Sequence, residues 1–216
     1  AGLRGRLSLE PPHALELAAD GRLDVAGEGF PSDLEIPFTL ESSGDMERII
    51  LSFFGLGNDL KIDAEVTEPF AEPAWDFTGT LHHLDLALED GGDSLTISSL
   101  TLMSVGNIDD WSIGLDSLVR YEDSLDTRLV VSGAGSQTGV RIDNARLEGK
   151  GIDLDLRGNV DWLPEPGTRL TTVIRQLDFS PWLTDWPEGE MLAGRLELTW
   201  SDAGLEITRG DLELID

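Results

Sequence analysis

Few residues in this chain have the type and spacing that chemistry needs. His82-His83 is the one adjacent histidine pair, and His13 is the remaining histidine. Successive strand residues point to opposite faces, so the pair cannot jointly chelate a metal in regular β structure. Gly133-Ala134-Gly135-Ser136-Gln137-Thr138-Gly139 has the glycine content of a phosphate loop. It lacks the Gly-Lys-Ser/Thr ending, and a strand pattern follows it, so a hairpin turn is expected there. Gly91-Gly92-Asp93 starts like a calcium-binding repeat but is not iterated. Asp153, Asp155 and Asp161 fall on one side of a single strand pattern. Unpaired, they would repel; a cation could bind them, and a solvated outer face is the simpler expectation. No serine sits in a Gly-x-Ser-x-Gly elbow. With no cysteine there is no thiolate ligand, thiol nucleophile or disulfide. No catalytic constellation survives, and neither enzyme activity, a metal nor a cofactor is expected.

What remains is the elements themselves. From Ile152 to Trp162, Ile152, Leu154, Leu156, Val160 and Trp162 alternate with Asp153, Asp155, Arg157, Asn159 and Asp161. A period of two puts one set on each side of a pleated strand, whereas a helix would scatter both. The construction recurs along nearly the whole chain. Leu3, Leu7 and Leu9 alternate until Pro11-Pro12. Asp20-Gly21 is a hairpin-turn signal between Leu15-x-Leu17 and Leu23-x-Val25. Pro37, within Leu34 to Leu40, suggests an edge or a bulge, and Glu41 to Asp45 reads as a loop. Met46 to Val66 reads best as a hairpin around Gly57-Asn58-Asp59, although Met46–Phe54 is apolar on both faces and also fits a short helix. Pro69 to Pro73 interrupts the pattern, which gives an N-terminal segment 1–68 and a continuing segment 74–216 of one elongated domain. The phase changes at His82-His83, as a bulge would make it. Ser180-Pro181 has the signature of a helix start, with one turn over Trp182–Trp186.

Two weak repeats run through these strands. One is apolar-x-Gly-x-apolar, at Leu3/Gly5/Leu7, Phe77/Gly79/Leu81, Leu156/Gly158/Val160 and Leu192/Gly194/Leu196. The other is apolar-x-Ile followed five residues later by Leu, at Leu95/Ile97/Leu102, Val140/Ile142/Leu147 and Leu205/Ile207/Leu212. Their irregular spacing excludes a strict short-period solenoid and suggests related hairpins added in sequence. A mid-strand glycine lets a sheet coil or another backbone come close.

Composition narrows the partners. The chain has 216 residues and a formal net charge of −27, with only two lysines, Lys61 and Lys150. Such a chain repels nucleic acid and anionic surfaces. Aromatics are 6%, so any core is aliphatic. No apolar run approaches the roughly 20 residues of a membrane span. The strand pattern still runs at Leu212-Glu213-Leu214-Ile215, which suggests that a parent chain continues.

Several stretches resemble the TamB family, the large inner-membrane component of the translocation and assembly module. They are Leu147 to Trp162, Leu177 to Pro187, Leu192 to Leu198 and Trp75 to Leu81. The resemblance covers mainly Trp75 to Asp216, and AsmA-like proteins share its flavour. It implies a periplasmic segment of a longer protein that is anchored in the inner membrane outside this stretch. It also implies a partner, a TamA-type outer-membrane β-barrel, reached through the parent protein, and a sheet curled into a taco-like trough. The family's proposed roles are phospholipid carriage between the membranes and assistance to outer-membrane assembly.

The expected fold is therefore all-β: a curled, mainly antiparallel elongated sheet, a trough with an apolar concave face and at most one or two short helical turns. The candidate lining is Leu34, Ile36, Phe38, Trp75, Phe77, Leu81, Leu84, Leu86, Leu95, Ile97, Ile113, Leu115, Val140, Ile142, Ile152, Leu154, Leu156, Val160, Trp162, Leu170, Ile174, Leu196, Leu198, Trp200, Leu205 and Ile207. The expected guest is a phospholipid acyl chain. The alternatives are a scaffold that binds strands of outer-membrane protein or autotransporter clients by β-augmentation, and a closed sandwich acting as a spacer.

Overall fold

The computed structural model describes residues 2–7, 14–25, 34–87, 94–121, 126–163, 166–180, 189–201 and 204–215. They form one antiparallel sheet of fifteen strands. The strands are β1 (Gly2–Leu7), β2 (Leu15–Val25), β3 (Leu34–Gly44), β4 (Arg48–Gly55), β5 (Leu60–Thr67), β6 (Ala74–Leu81), β7 (Leu84–Ala87), β8 (Ser94–Asn107), β9 (Trp111–Tyr121), β10 (Asp126–Ser136), β11 (Gly139–Gly149), β12 (Ile152–Asp161), β13 (Gly167–Leu177), β14 (Met191–Ser201) and β15 (Gly204–Ile215). The order is a meander in which each strand pairs with its predecessor and successor. The exception is β6 and β7, which lie along the same side of β8. The sheet does not close, and β1 and β15 are its edges. The helical structure among the described residues is one 3-10 turn, Leu56–Asn58. No described helix is long and apolar enough to cross a membrane.

Directly opposed residues of an antiparallel pair share a face. The register therefore carries one apolar face through the whole sheet. One row reads Leu40, Phe53, Ile62, Gly79, Leu102, Leu115, Val131, Ala145, Leu156, Thr172, Leu196 and Gly210. The opposite face carries the charged residues.

Four strands hold that face in phase by bulging. The register shifts after Ile97 in β8, after Ile142 in β11, after Ile174 in β13 and after Ile207 in β15. In β8, β11 and β15 this explains the Ile-to-Leu repeat. Five residues is an odd spacing, which would put Ile and Leu on opposite faces of a regular strand. The bulge absorbs one residue and returns both to the same side. Ser117, only 3% exposed, donates its hydroxyl to the Ser99 carbonyl beside the first bulge at 3.1 Å. Gly158 and Gly194, from the glycine repeat, lie opposite Ile142 and Ile174, the residues before two of the bulges. Gly194 has φ 143°, and a Cβ there would lie 2.0 Å from the Asp211 carbonyl oxygen. Bulges add right-handed twist and bend the strand that carries them. The sheet curls into an elongated trough with the apolar face on its concave side.

Several local expectations are corrected. Asp20-Gly21 is no turn: β2 runs through it, paired with β1 at Asp20 and with β3 at both residues. A Cβ at Gly21 would sit 2.8 Å from the Phe38 ring, so glycine there makes room for an aromatic neighbour. Glu41 to Gly44 is the end of β3 rather than a loop, and Ser42 is buried. Gly133 to Ser136 belongs to β10, and the turn shrinks to Gln137-Thr138. In each case strand pairing overrides local turn chemistry. Met46 to Val66 is the expected hairpin, with no α-helix in it. Pro37 lies where β4 has already ended, so β3 has a partner on one side only there. The expected helical turn at Trp182–Trp186 and the Gly91-Gly92-Asp93 stretch lie outside the described residues.

A hydrophobic trough and its polar back

Every candidate lining position falls in phase with the apolar face. Phe38, Leu81, Leu154 and Ile174 share one row with Leu60, Leu100, Leu129 and Leu147. Phe77, Ile113, Ile142, Leu170, Leu198 and Ile207 share the next but one. Trp75, Val140, Val160, Trp200 and, by register, Leu205 lie in the row at one margin. Leu84, Ile97 and Ile152 lie in a row toward the other margin, with Leu86 and Leu95 paired beyond it and Ile36 at that same end of β3. Leu34 holds a register position beside them. Leu115, Leu156 and Leu196 lie in the middle. Trp162 stands just past β12, and its indole N–H donates to the Gln137 carbonyl at 2.6 Å. The face also contains Leu51, Phe53, Ile62, Leu102, Trp111 and Val131, absent from the candidate lining although the same alternation marks them.

Among the described residues no second layer covers the face. Among the described large apolar residues only Leu81, Leu86 and Ile174 are buried, at 7, 7 and 6% exposed. A sandwich would bury most of an inner face instead. The accessible surface is 14240 Å² for a chain of 23.5 kDa. A compact monomer of that mass exposes about 9,800 Å². The surplus fits a sheet one layer thick. A cavity of about 350 Å³ opens beside Val160, Pro166, Thr168 and Trp200. A larger one, about 480 Å³, lies mainly on the polar side of β1–β4 among Arg4, Arg6, Glu16, Glu41, Ser43 and Ser52, and so lies outside the trough.

The polar back is knitted by ion pairs. Arg48 meets Glu65 at 2.5 Å, Arg128 meets Asp116 at 2.5 Å and Arg22 meets Glu35 at 2.8 Å, each across neighbouring strands. Asp153 and Asp155, read as mutually repelling, have their cation supplied by the chain. Arg175, at the bulge of β13, donates to Asp153 at 2.9 Å and also to Asp155. Arg146 meets Asp153 at 3.4 Å. The Arg175 hydrogen bond holds the Asp155 carboxyl below its usual range. Lys61, Arg128 and Arg141 do the same for Asp63, Asp116 and Asp143. Among the described residues no cluster of His, Asp or Glu could hold a metal. His82 and His83 are exposed between β6 and β7, where His83 pairs with Asp85 at 2.9 Å. No family model, no curated protein and no solved structure matches the chain. The functional reading therefore rests on the trough itself. Its surface is long and aliphatic, and most of its large side chains are only partly buried.

Proposed function

We propose that this chain is a segment of a TamB-like conduit that carries phospholipid acyl chains along its apolar face, between the inner and outer membranes of a Gram-negative bacterium. In this reading the parent protein is anchored in the inner membrane and meets a TamA-type β-barrel in the outer one. The observation that carries the reading is an apolar face that is continuous across fifteen strands yet almost nowhere fully buried. Such a face must find a partner or stay in costly contact with water. An acyl chain gains about 0.8 kcal/mol per buried CH₂, hence on the order of ten kcal/mol for a whole tail before ordering costs. That gain needs no polar recognition group. A continuous lining without a closed pocket lets a tail slide. The charged back repels other acidic surfaces and keeps the sheet dispersed.

The test is lipid retention. Purified protein is extracted and its phospholipid measured by mass spectrometry, beside Leu154→Asp and Leu198→Asp. Both variants should retain less lipid while their circular dichroism stays β-type. Folded variants with unchanged lipid would count against the trough.

A further inference from the structure

The polar back is charged along most of its length, but the charge breaks off near its centre. Two neighbouring rows of the back show this. One reads Asp76, Val105, Ser112, Ala134 and Arg141, from β6 to β11. The other reads Thr78, Met103, Gly114, Ser132 and Asn144 over the same strands. On β8, β9 and β10 neither row holds a charge. Met103 and Val105 are 54 and 53% exposed, the most exposed large apolar residues of the described back. Gly114 takes a side chain out of the middle, and the Met103 methyl lies 3.8 Å from where its Cβ would be. An exposed apolar patch inside a polar border marks a contact surface.

The patch is complementary to itself. β9 is its centre: β6 lies two strands to one side and β11 two strands to the other. A two-fold axis along β9, between two such backs, lays each row on its own reverse. Val105 then meets Ala134 of the second copy, Met103 meets Ser132, and Ser112 and Gly114 meet their own counterparts. Asp76 meets Arg141, and the symmetry makes that contact twice. Among the described residues Asp76 has no ion pair within its own chain. Arg141 pairs with Asp143 along its own strand at 2.7 Å and keeps 63% of its side chain exposed. A guanidinium has donors for a second carboxylate. Stacked sheets are rotated by about 30°, which displaces partners two strands from the axis by roughly 5 Å. An arginine side chain spans that.

We infer that two copies of this chain associate back to back through β8–β10, about a two-fold axis along β9, with their troughs facing away from each other. The association does not depend on what the troughs carry. The contact is about 20 Å wide from β6 to β11, and the back is the convex side, so it belongs with small, transient interfaces. The net charge of −27 opposes it. At about 0.15 M salt, exposed charges more than about 8 Å apart are largely screened, which leaves the local pairs to decide.

Sedimentation equilibrium in about 0.15 M salt tests it, at protein concentrations up to about 1 mM. The dimer fraction should rise with concentration. Asp76→Arg and Arg141→Asp each put like charges across both contacts, and each should weaken dimerisation at least about tenfold. Mixed in equal amounts, the two variants should recover it, because each then meets the opposite charge on the other. A parent chain that stays monomeric at the highest concentration overturns the inference, and so do variants that fail to complement each other. A second arm needs no change of charge. The chain has no cysteine, so a single one is a clean probe. Ser112→Cys stands beside its own counterpart and should be joined into covalent dimers by a short bismaleimide. Thr199→Cys, in the same row but five strands away on β14, should not. Equal crosslinking of the two overturns the axis.

Discussion

The two faces of this sheet are made by the same strands and held by opposite means. Residues 152 to 161 show it at the scale of neighbours. Leu154 and Leu156 face the trough, where their partners are Leu147, Ile174, Ala145 and Thr172. Asp153 and Asp155 face away, tied to Arg146 and Arg175. On the back, ion pairs run between neighbouring strands. The front is satisfied only in part, because its large side chains still meet water. The back is tied by charge and the front by apolar packing, and the proposed guest site lies on the front.

The largest effect should come from packing on the front. Ile174→Ala removes a side chain that is 6% exposed, and is expected to cost about 2–5 kcal/mol. Val173→Ala, its neighbour on the back at 37% exposed, should cost under about 1 kcal/mol. Urea midpoints of the two variants measure the contrast; equal losses would mean that the front packs no better than the back.

Next comes guest capture. Leu198→Asp should lower uptake of an acyl probe, whereas Arg157→Ala on the back should leave it unchanged. Loss in both would break the assignment of function to one face.

A smaller effect concerns the back alone. Arg175→Gln leaves Asp153 and Asp155 with less positive charge beside them, so the urea midpoint at neutral pH should fall modestly. The pH dependence of that difference is the smallest effect and the sharpest. Arg175 holds the Asp155 carboxyl low in the folded state, so the parent's advantage is present above the ordinary carboxylate value of about 3.9. It is lost as pH falls through the depressed folded value, because the unfolded chain takes up the proton first. Parent and variant midpoints should converge in acid. A gap that persists there would mean that Arg175 acts by packing and not by charge.

Much of this was legible in the sequence, for a simple reason. Alternation is a local signal, and a sheet with one oily side repeats it in every strand. Leu34 to Ile207 fell into phase without any knowledge of strand order. Turn residues misled where a neighbouring strand had a use for them. Gly135 looked like part of a flexible turn, yet a Cβ there would lie 2.1 Å from the Trp111 indole, so the glycine makes room for a ring from the next strand. The bulges were visible only as a repeat with an odd spacing, whose meaning needs the partner strand. The role of Arg175 was invisible, because its place depends on a bulge that local alternation does not reveal. The openness of the front was likewise beyond reach, since an alternating strand reads the same under a second sheet as under water.

The account stands or falls on which side of the strands a lipid touches. A phospholipid with a diazirine in its tail, photolysed on the purified protein and mapped by peptide mass spectrometry, answers that residue by residue. Along β12 the adducts should fall on Ile152, Leu154, Leu156 and Val160 and skip Asp153, Asp155, Arg157 and Asn159. Adducts spread equally over both sets, or none on a folded protein, would contradict the central claim.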